Sequence, residues 1–167
     1  MRVFGVTGGK DSGKTHLVVR LVAHFTARGL RVATVKHAHH AADIDHPGRD
    51  SMRHREAGAA EVLLATPERW ALVHELRGAP EPPLEALLAR LSPCDLVLVE
   101  GFKAAPHPKI EAHRAATGRP PLAAGPAPGP AGLRAVASDA RPAVALPLFA
   151  LDDTGAIAGF IAAEVGL

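Results

Sequence analysis

This sequence predicts a doubly wound, mostly parallel α/β sheet with helices on both faces. Three observations carry that prediction. The first 35 residues read strand, helix, strand; a glycine-rich turn joins the first strand to the helix; and short apolar strand runs alternate with helical patterns over most of the remaining chain.

The elements can be justified in order. "RVFGVT" (2–7) is a short apolar run that ends in glycines, as a buried strand does. Leu17, Val18, Leu21, Val22 and Phe25 then recur at helical spacing, and Gly29 stands at the position of a C-terminal cap. "LRVATV" (30–35) supplies the next strand, which completes a βαβ unit with parallel strands. Asp50 or Ser51 is placed to cap a short helix that closes at Gly58, and "EVLLAT" and "WALVHEL" come next as strands. Leu84, Leu87, Leu88 and Leu91 make an amphipathic helix stopped by Ser92-Pro93. "DLVLVE" (95–100) is the strongest buried strand of the second half. "PKIEAHR" and "RAVASD" are further strands, and "GAIAGFIAAEV" behind Asp152 and Asp153 is a closing helix. The tract at 115–132, "AATGRPPLAAGPAPGPAG", reads as a flexible surface loop.

The 167 residues fit one domain (1–167), and a chain of this size buries roughly 70% of the surface that its unfolded form exposes. Aromatics are 4% and Tyr is absent, so the core is built from Ala, Val and Leu. A net charge of +2 is too weak to argue for nucleic acid. The lone Cys94 precludes an internal disulfide and any multi-cysteine zinc site. No apolar stretch approaches the ~20 residues that span a bilayer, and "MRVFGVTGGK" reaches glycines before a signal-like run can form. The expectation is a cytoplasmic protein with no membrane and no nucleic-acid partner.

"GGKDSGKT" matches GxxxxGKT in full: Gly8, four residues, then Gly13, Lys14 and Thr15. It follows a predicted strand and opens a predicted helix, the context of a phosphate-binding loop in P-loop NTPases. Glycines let several amides converge on one concavity, and the helix N-terminus adds positive partial charge. Gly8, Gly9, Lys10, Asp11, Ser12, Gly13, Lys14 and Thr15 are therefore the nucleotide-binding candidates. Lys14 is the group for the β- and γ-phosphates, and the Thr15 hydroxyl is the ligand for Mg²⁺. Lys10 invites comparison with a second signature lysine found in some NTPases. In that pattern the lysine directly follows the first glycine, a place that Gly9 holds here, so Lys10 reads as a solvated loop charge.

Such a site needs an acid near the metal. Asp95 and Glu100 bracket one strand and stand roughly 16 Å apart at about 3.3 Å per residue, so only one can face the nucleotide. Ligands bind at the carboxyl ends of parallel strands, which selects Glu100 as metal-side and catalytic carboxylate. Lys103, beyond Gly101, is within reach of an anion.

"VKHAHHAADIDHPGRDS" (35–51) concentrates His37, His39, His40 and His46 with Asp43, Asp45 and Asp50. A zinc site is one reading, although His37, His39 and His40 would point to different faces of an extended backbone. A polar surface loop is another. Position favours a third: the segment leaves the second strand with Lys36 and His37 at the same edge as the glycine-rich loop. There Asp43 or Asp45 could meet Mg²⁺ or water, and His39 could contact phosphate. Arg49, Arg53 and Arg55 are either phosphate ligands or a solvated helix face paired with Glu56.

"GGKDSGKT", "VKHAHH", "DIDHPGRDS", "REAGA", "LVLVEGFK", "PKIEAHR" and "VASD", in this order over residues 3 to 139, resemble the molybdopterin-guanine dinucleotide biosynthesis protein B (MobB) family. The resemblance implies a GTP-binding, weakly GTP-hydrolysing homodimer that uses Mg²⁺. It also implies a role assisting the guanylyltransferase that attaches a guanine nucleotide to molybdopterin. Gly8, Gly13, Lys14 and Thr15 then hold phosphates and magnesium, Glu100 fills the carboxylate role, and Asp45 matches the loop after the second strand. Guanine preference comes only from the resemblance, since NKxD is absent and Asp139 of "VASD" is a guess at a substitute. Two alternatives are a P-loop small-molecule kinase and a nickel-metallochaperone GTPase.

Overall fold

The structure is a computed structural model that describes residues 1–38, 48–124 and 129–167. The chain forms two compact units, one of residues 1–37 and 84–167 and one of residues 38–83.

The larger unit is a six-stranded sheet in which every pairing is parallel. Its strands are β1 (Arg2–Thr7), β2 (Val32–Lys36), β5 (Leu96–Glu100), β6 (Lys109–His113), β7 (Leu133–Ser138) and β8 (Leu148–Ala150), in the order β2-β5-β1-β6-β7-β8. β1 and β2 are parallel as expected, but β5 lies between them. Leu96 and Leu98 face one side of the sheet and Val97 and Val99 the other, the period of two that a strand imposes. On the first side, α1 (Lys14–Ala27) and α4 (Thr154–Val165) bury Leu17, Leu21, Phe25, Ile157 and Ile161 against Phe4 and Ile110. On the second side, α3 (Leu84–Leu88) places Leu84 and Leu88 over Val97 and Val99. Helices therefore cover both faces.

Termini form for local reasons. α1 ends where Gly29 turns left-handed (φ 82°) and Leu30 N–H returns to the Phe25 carbonyl. α4 begins at Asp153, whose carboxylate accepts the Ala156 amide at 2.9 Å. β8 has no counterpart in the sequence reading, because three residues after a proline are too few to show a period.

The described parts of the tract at 115–132 are held by specific hydrogen bonds. Ala115–Thr117 and Leu122–Ala124 are 3₁₀ turns. The buried Glu111 carboxylate accepts the amides of Leu122 and Ala123 at 2.7 and 3.1 Å, and Lys109 donates to the Ala131 carbonyl at 2.6 Å.

In the smaller unit, α2 (Asp50–Glu56) precedes an antiparallel hairpin of β3 (Glu61–Ala65) and β4 (Trp70–His74). The expected caps Asp50 and Ser51 lie inside the helix instead, and Arg49 occupies the cap position in extended conformation. Asp50 contributes a first-turn negative charge and pairs with Arg53 at 3.7 Å. Arg55 pairs with Glu75 at 2.5 Å, tying the helix to the hairpin. Leu63, Leu64, Trp70 and Leu72 are all exposed.

Candidate nucleotide site

The loop of residues 8–13 leaves the carboxyl end of β1, the strand that separates β2 and β5 from β6, β7 and β8. That is where a doubly wound sheet opens a crevice. Its curl needs glycine at two positions. Gly8 has φ 146°, and a Cβ there would stand 2.3 Å from the Ala112 carbonyl oxygen; Gly13 has φ 92° and is the residue from which α1 starts. Asp11 is left-handed too, at φ 62°. The amides of residues 9–14 donate to no acceptor among the described residues. Lys14 curls back so that its ammonium donates to the Gly9 carbonyl at 2.5 Å. Burial holds the Lys14 ammonium below its ordinary value, while Glu100 acts in the opposite direction.

Thr15 and Glu100, 85 residues apart in sequence, meet here: the Thr15 hydroxyl donates to Glu100 Oε1 at 2.8 Å. Lys36, at the end of β2, reaches both, with Nζ 3.2 Å from Thr15 Oγ1 and 3.2 Å from Glu100 Oε1. Glu100 is nearly buried at 8% exposure. Asp95 sits at the opposite end of the strand, where its carboxylate accepts the Arg31 amide at 2.7 Å. Gly101 (φ 97°) turns the chain beside His37, whose ring stacks on Phe102 at 4.5 Å. Lys10 and Asp11 are exposed on the loop, whereas Ser12 is buried. His39, Asp43 and Asp45 lie outside the described residues, as do His40 and His46.

The donors suit a magnesium–nucleotide phosphate. A hydroxyl and a carboxylate oxygen are hard ligands of the kind Mg²⁺ takes. The buried Ser12 Oγ and Arg114 Nε have no hydrogen-bond partner among the described residues, which leaves polar atoms beside the loop for an anion.

Arg114 is a residue that sequence reasoning missed. It follows β6 directly, and a Cβ on Gly13 would lie 3.0 Å from its Nε. It lines a cleft of about 310 Å³ with Asp11, Lys14, Thr15 and His16. Arg119 flanks the other part of the loop, with Nη1 3.7 Å from where a Gly9 Cβ would be. The segment between them is braced: the His113 ring pairs with Ser138 Oγ at 2.8 Å and the Arg119 carbonyl at 2.9 Å, and Asp139 accepts the Ala115 amide at 2.8 Å. No local signal could have found it, since only the placement of β6 beside β1 brings the residue after β6 to the glycine-rich loop. Farther along the same edge, a larger cleft of about 570 Å³ opens between Ser138–Arg141 and Leu148–Asp152.

The chain is 45% identical over 115 residues to the molybdopterin-guanine dinucleotide biosynthesis adapter protein of Haemophilus influenzae, covering 67% of this chain and 63% of that protein. It is 43% identical over 112 residues to the adapter protein of the same name from Escherichia coli, covering 66% and 64%. The chain thus spans just under two thirds of the length of these curated relatives. Among solved structures, a MobB protein homolog from Bacillus stearothermophilus superposes with a TM-score of 0.68 at 29% identity over 99% of both chains. Bacillus subtilis MobB shares the fold with a TM-score of 0.76 at 22% identity over 99% of this chain and 98% of that one. Residues 3–139, which include the glycine-rich loop, Glu100, Arg114 and Asp139, match the family described as "Molybdopterin guanine dinucleotide synthesis protein B", and the chain belongs to that MobB family.

Proposed function

We propose that this protein is an adapter in molybdopterin guanine dinucleotide biosynthesis that binds Mg²⁺–GTP at the glycine-rich loop and hydrolyses it slowly. The observation that carries the reading is the convergence of Lys14, Thr15 and Glu100 at one crevice, with Thr15 and Glu100 2.8 Å apart. The loop amides and Lys14 would hold the phosphates, and Thr15 and Glu100 would hold the metal directly or through water. Magnesium, when bound, supplies charge neutralisation on the phosphate oxygens. Asp45 is proposed to orient the attacking water, on the strength of its place in the sequence after β2. The names of the relatives favour guanine, and Asp139, one of whose carboxylate oxygens accepts the Ala115 amide, is the candidate acceptor for a guanine edge.

The partner is proposed to be molybdopterin or the guanylyltransferase that acts on it, in the cytoplasm. A homodimer is supported by the β3–β4 hairpin, since an isolated two-stranded sheet is marginally stable and this one exposes Leu63, Leu64, Trp70 and Leu72. Calorimetric titration with GTP and ATP in the presence of Mg²⁺ tests the nucleotide assignment. GTP is expected to bind more tightly than ATP, and Lys14→Ala to abolish binding while the circular dichroism spectrum stays unchanged. Preference for ATP, or unchanged affinity in Lys14→Ala, would defeat the proposal.

A further inference from the structure

We infer that Lys36 guards the metal position, its ammonium holding Thr15 and Glu100 in the nucleotide-free protein so that a divalent cation binds there only when a nucleotide brings it. The inference rests on the proposed Mg²⁺–nucleotide reading of the crevice.

Lys36 and Glu100 are paired in register on adjacent parallel strands, so their side chains leave the sheet on the same face and side by side. Both residues end their strands, which puts the pair at the carboxyl edge beside Thr15, the second residue of α1. The ammonium is 3.2 Å from Thr15 Oγ1 and 3.2 Å from Glu100 Oε1, and these two oxygens are 2.8 Å from each other. An ammonium in that triangle contacts both oxygens proposed for the metal. A dication cannot share so small a space with it, because two cations a few ångströms apart repel strongly where one wall is desolvated.

The two side chains are unequally placed. That of Glu100 is 10% exposed and fixed, while that of Lys36 is 57% exposed on a flexible stem. The carboxylate must keep a counter-charge, and the lysine can leave when another arrives. Metal alone has to displace the ammonium and gains only one carboxylate and one hydroxyl as ligands. Metal carried by a triphosphate brings phosphate oxygens with it, and the phosphates also offer the departing ammonium an anion. Lys36 therefore acts as a positioning residue that makes cation binding conditional on nucleotide.

The test is Mn²⁺ binding to nucleotide-free protein, monitored by electron paramagnetic resonance, for wild type, Lys36→Met, Lys36→Gln and Lys36→Arg. Lys36→Met and Lys36→Gln are expected to take up one Mn²⁺ per chain roughly tenfold more tightly than wild type. Adding Glu100→Gln to either is expected to remove the gain, and Lys36→Arg to keep the wild-type weakness. Equal or weaker Mn²⁺ binding in both neutral variants overturns the inference. So does a gain that survives Glu100→Gln. If wild type binds neither GTP nor ATP, the nucleotide reading fails, and the Mn²⁺ comparison still decides the role of Lys36.

Discussion

The Thr15 hydroxyl donates to the Glu100 carboxylate at 2.8 Å, joining the first turn of α1 to the end of β5. Glu100→Gln preserves an oxygen that can accept this bond while removing the charge that a metal requires. Mg²⁺-dependent hydrolysis is expected to fall by about two orders of magnitude, in the range of lost electrostatic stabilisation at a transition state. GTP affinity measured in EDTA is expected to hold. Turnover at the wild-type rate would remove Glu100 from the chemistry.

Gly8 is a position of steric necessity. Any Cβ would press on the Ala112 carbonyl, and its φ of 146° is strained for an L side chain. Gly8→Ala should cost at least ~2 kcal/mol, lowering the melting temperature by about 5 °C or more, and should weaken GTP binding as the loop shifts. Differential scanning calorimetry reads the first effect and titration the second.

Arg114 places its guanidinium against the loop on the β6 side, opposite Glu100. Arg114→Ala is expected to reduce GTP affinity about tenfold, typical of one charge-assisted contact to phosphate, and Arg114→Lys to recover part of it. Affinity unaffected by both changes would leave Arg114 as packing alone.

His107 is expected to make stability fall in acid. Both ring nitrogens are buried without partners among the described residues, and burial first, then the neighbouring Lys109 charge, push its pKa down to about 4 from 6.5, with Glu85 opposing. Between pH 6.5 and 4 the unfolded chain takes up a proton that the folded chain refuses, so stability falls as pH falls through that window. The full shift corresponds to up to about 3 kcal/mol. Chemical denaturation at pH 7 and about pH 4.5 should show a smaller pH-dependent loss in His107→Gln than in wild type. Identical losses would assign the acid sensitivity to other groups.

How much was legible in the sequence depends on how each element declares itself. The placement of the glycine-rich loop and of Glu100 at one sheet edge was readable from local spacing and from the rule that ligands meet parallel strands at their carboxyl ends. β5 was readable from the apolar run Leu96–Val99, and all five of its residues are buried. The role of Arg114 and the pairing of Lys36 with Glu100 were not, since each depends on a neighbour acquired in the fold: β6 beside β1, and β2 in register with β5. Strand order is a long-range property that no window of sequence encodes. Glu111 and Lys109 were hidden for a related reason. In "PKIEAHR" they look like the solvent face of a strand, yet both are buried and direct their charges to backbone groups elsewhere.

That last pair has a practical side. Glu111 and Lys109 stand two residues apart on β6, one gripping the amides of Leu122 and Ala123 within the Pro/Ala tract, the other gripping the Ala131 carbonyl where that tract returns and the carbonyls of Lys103 and Ala105 ahead of β6. Each backbone polarity meets the side chain of opposite sign. A tag or fluorophore is therefore better kept away from Leu122, Ala123 and Ala131, because displacing their backbone would leave two buried charges without partners.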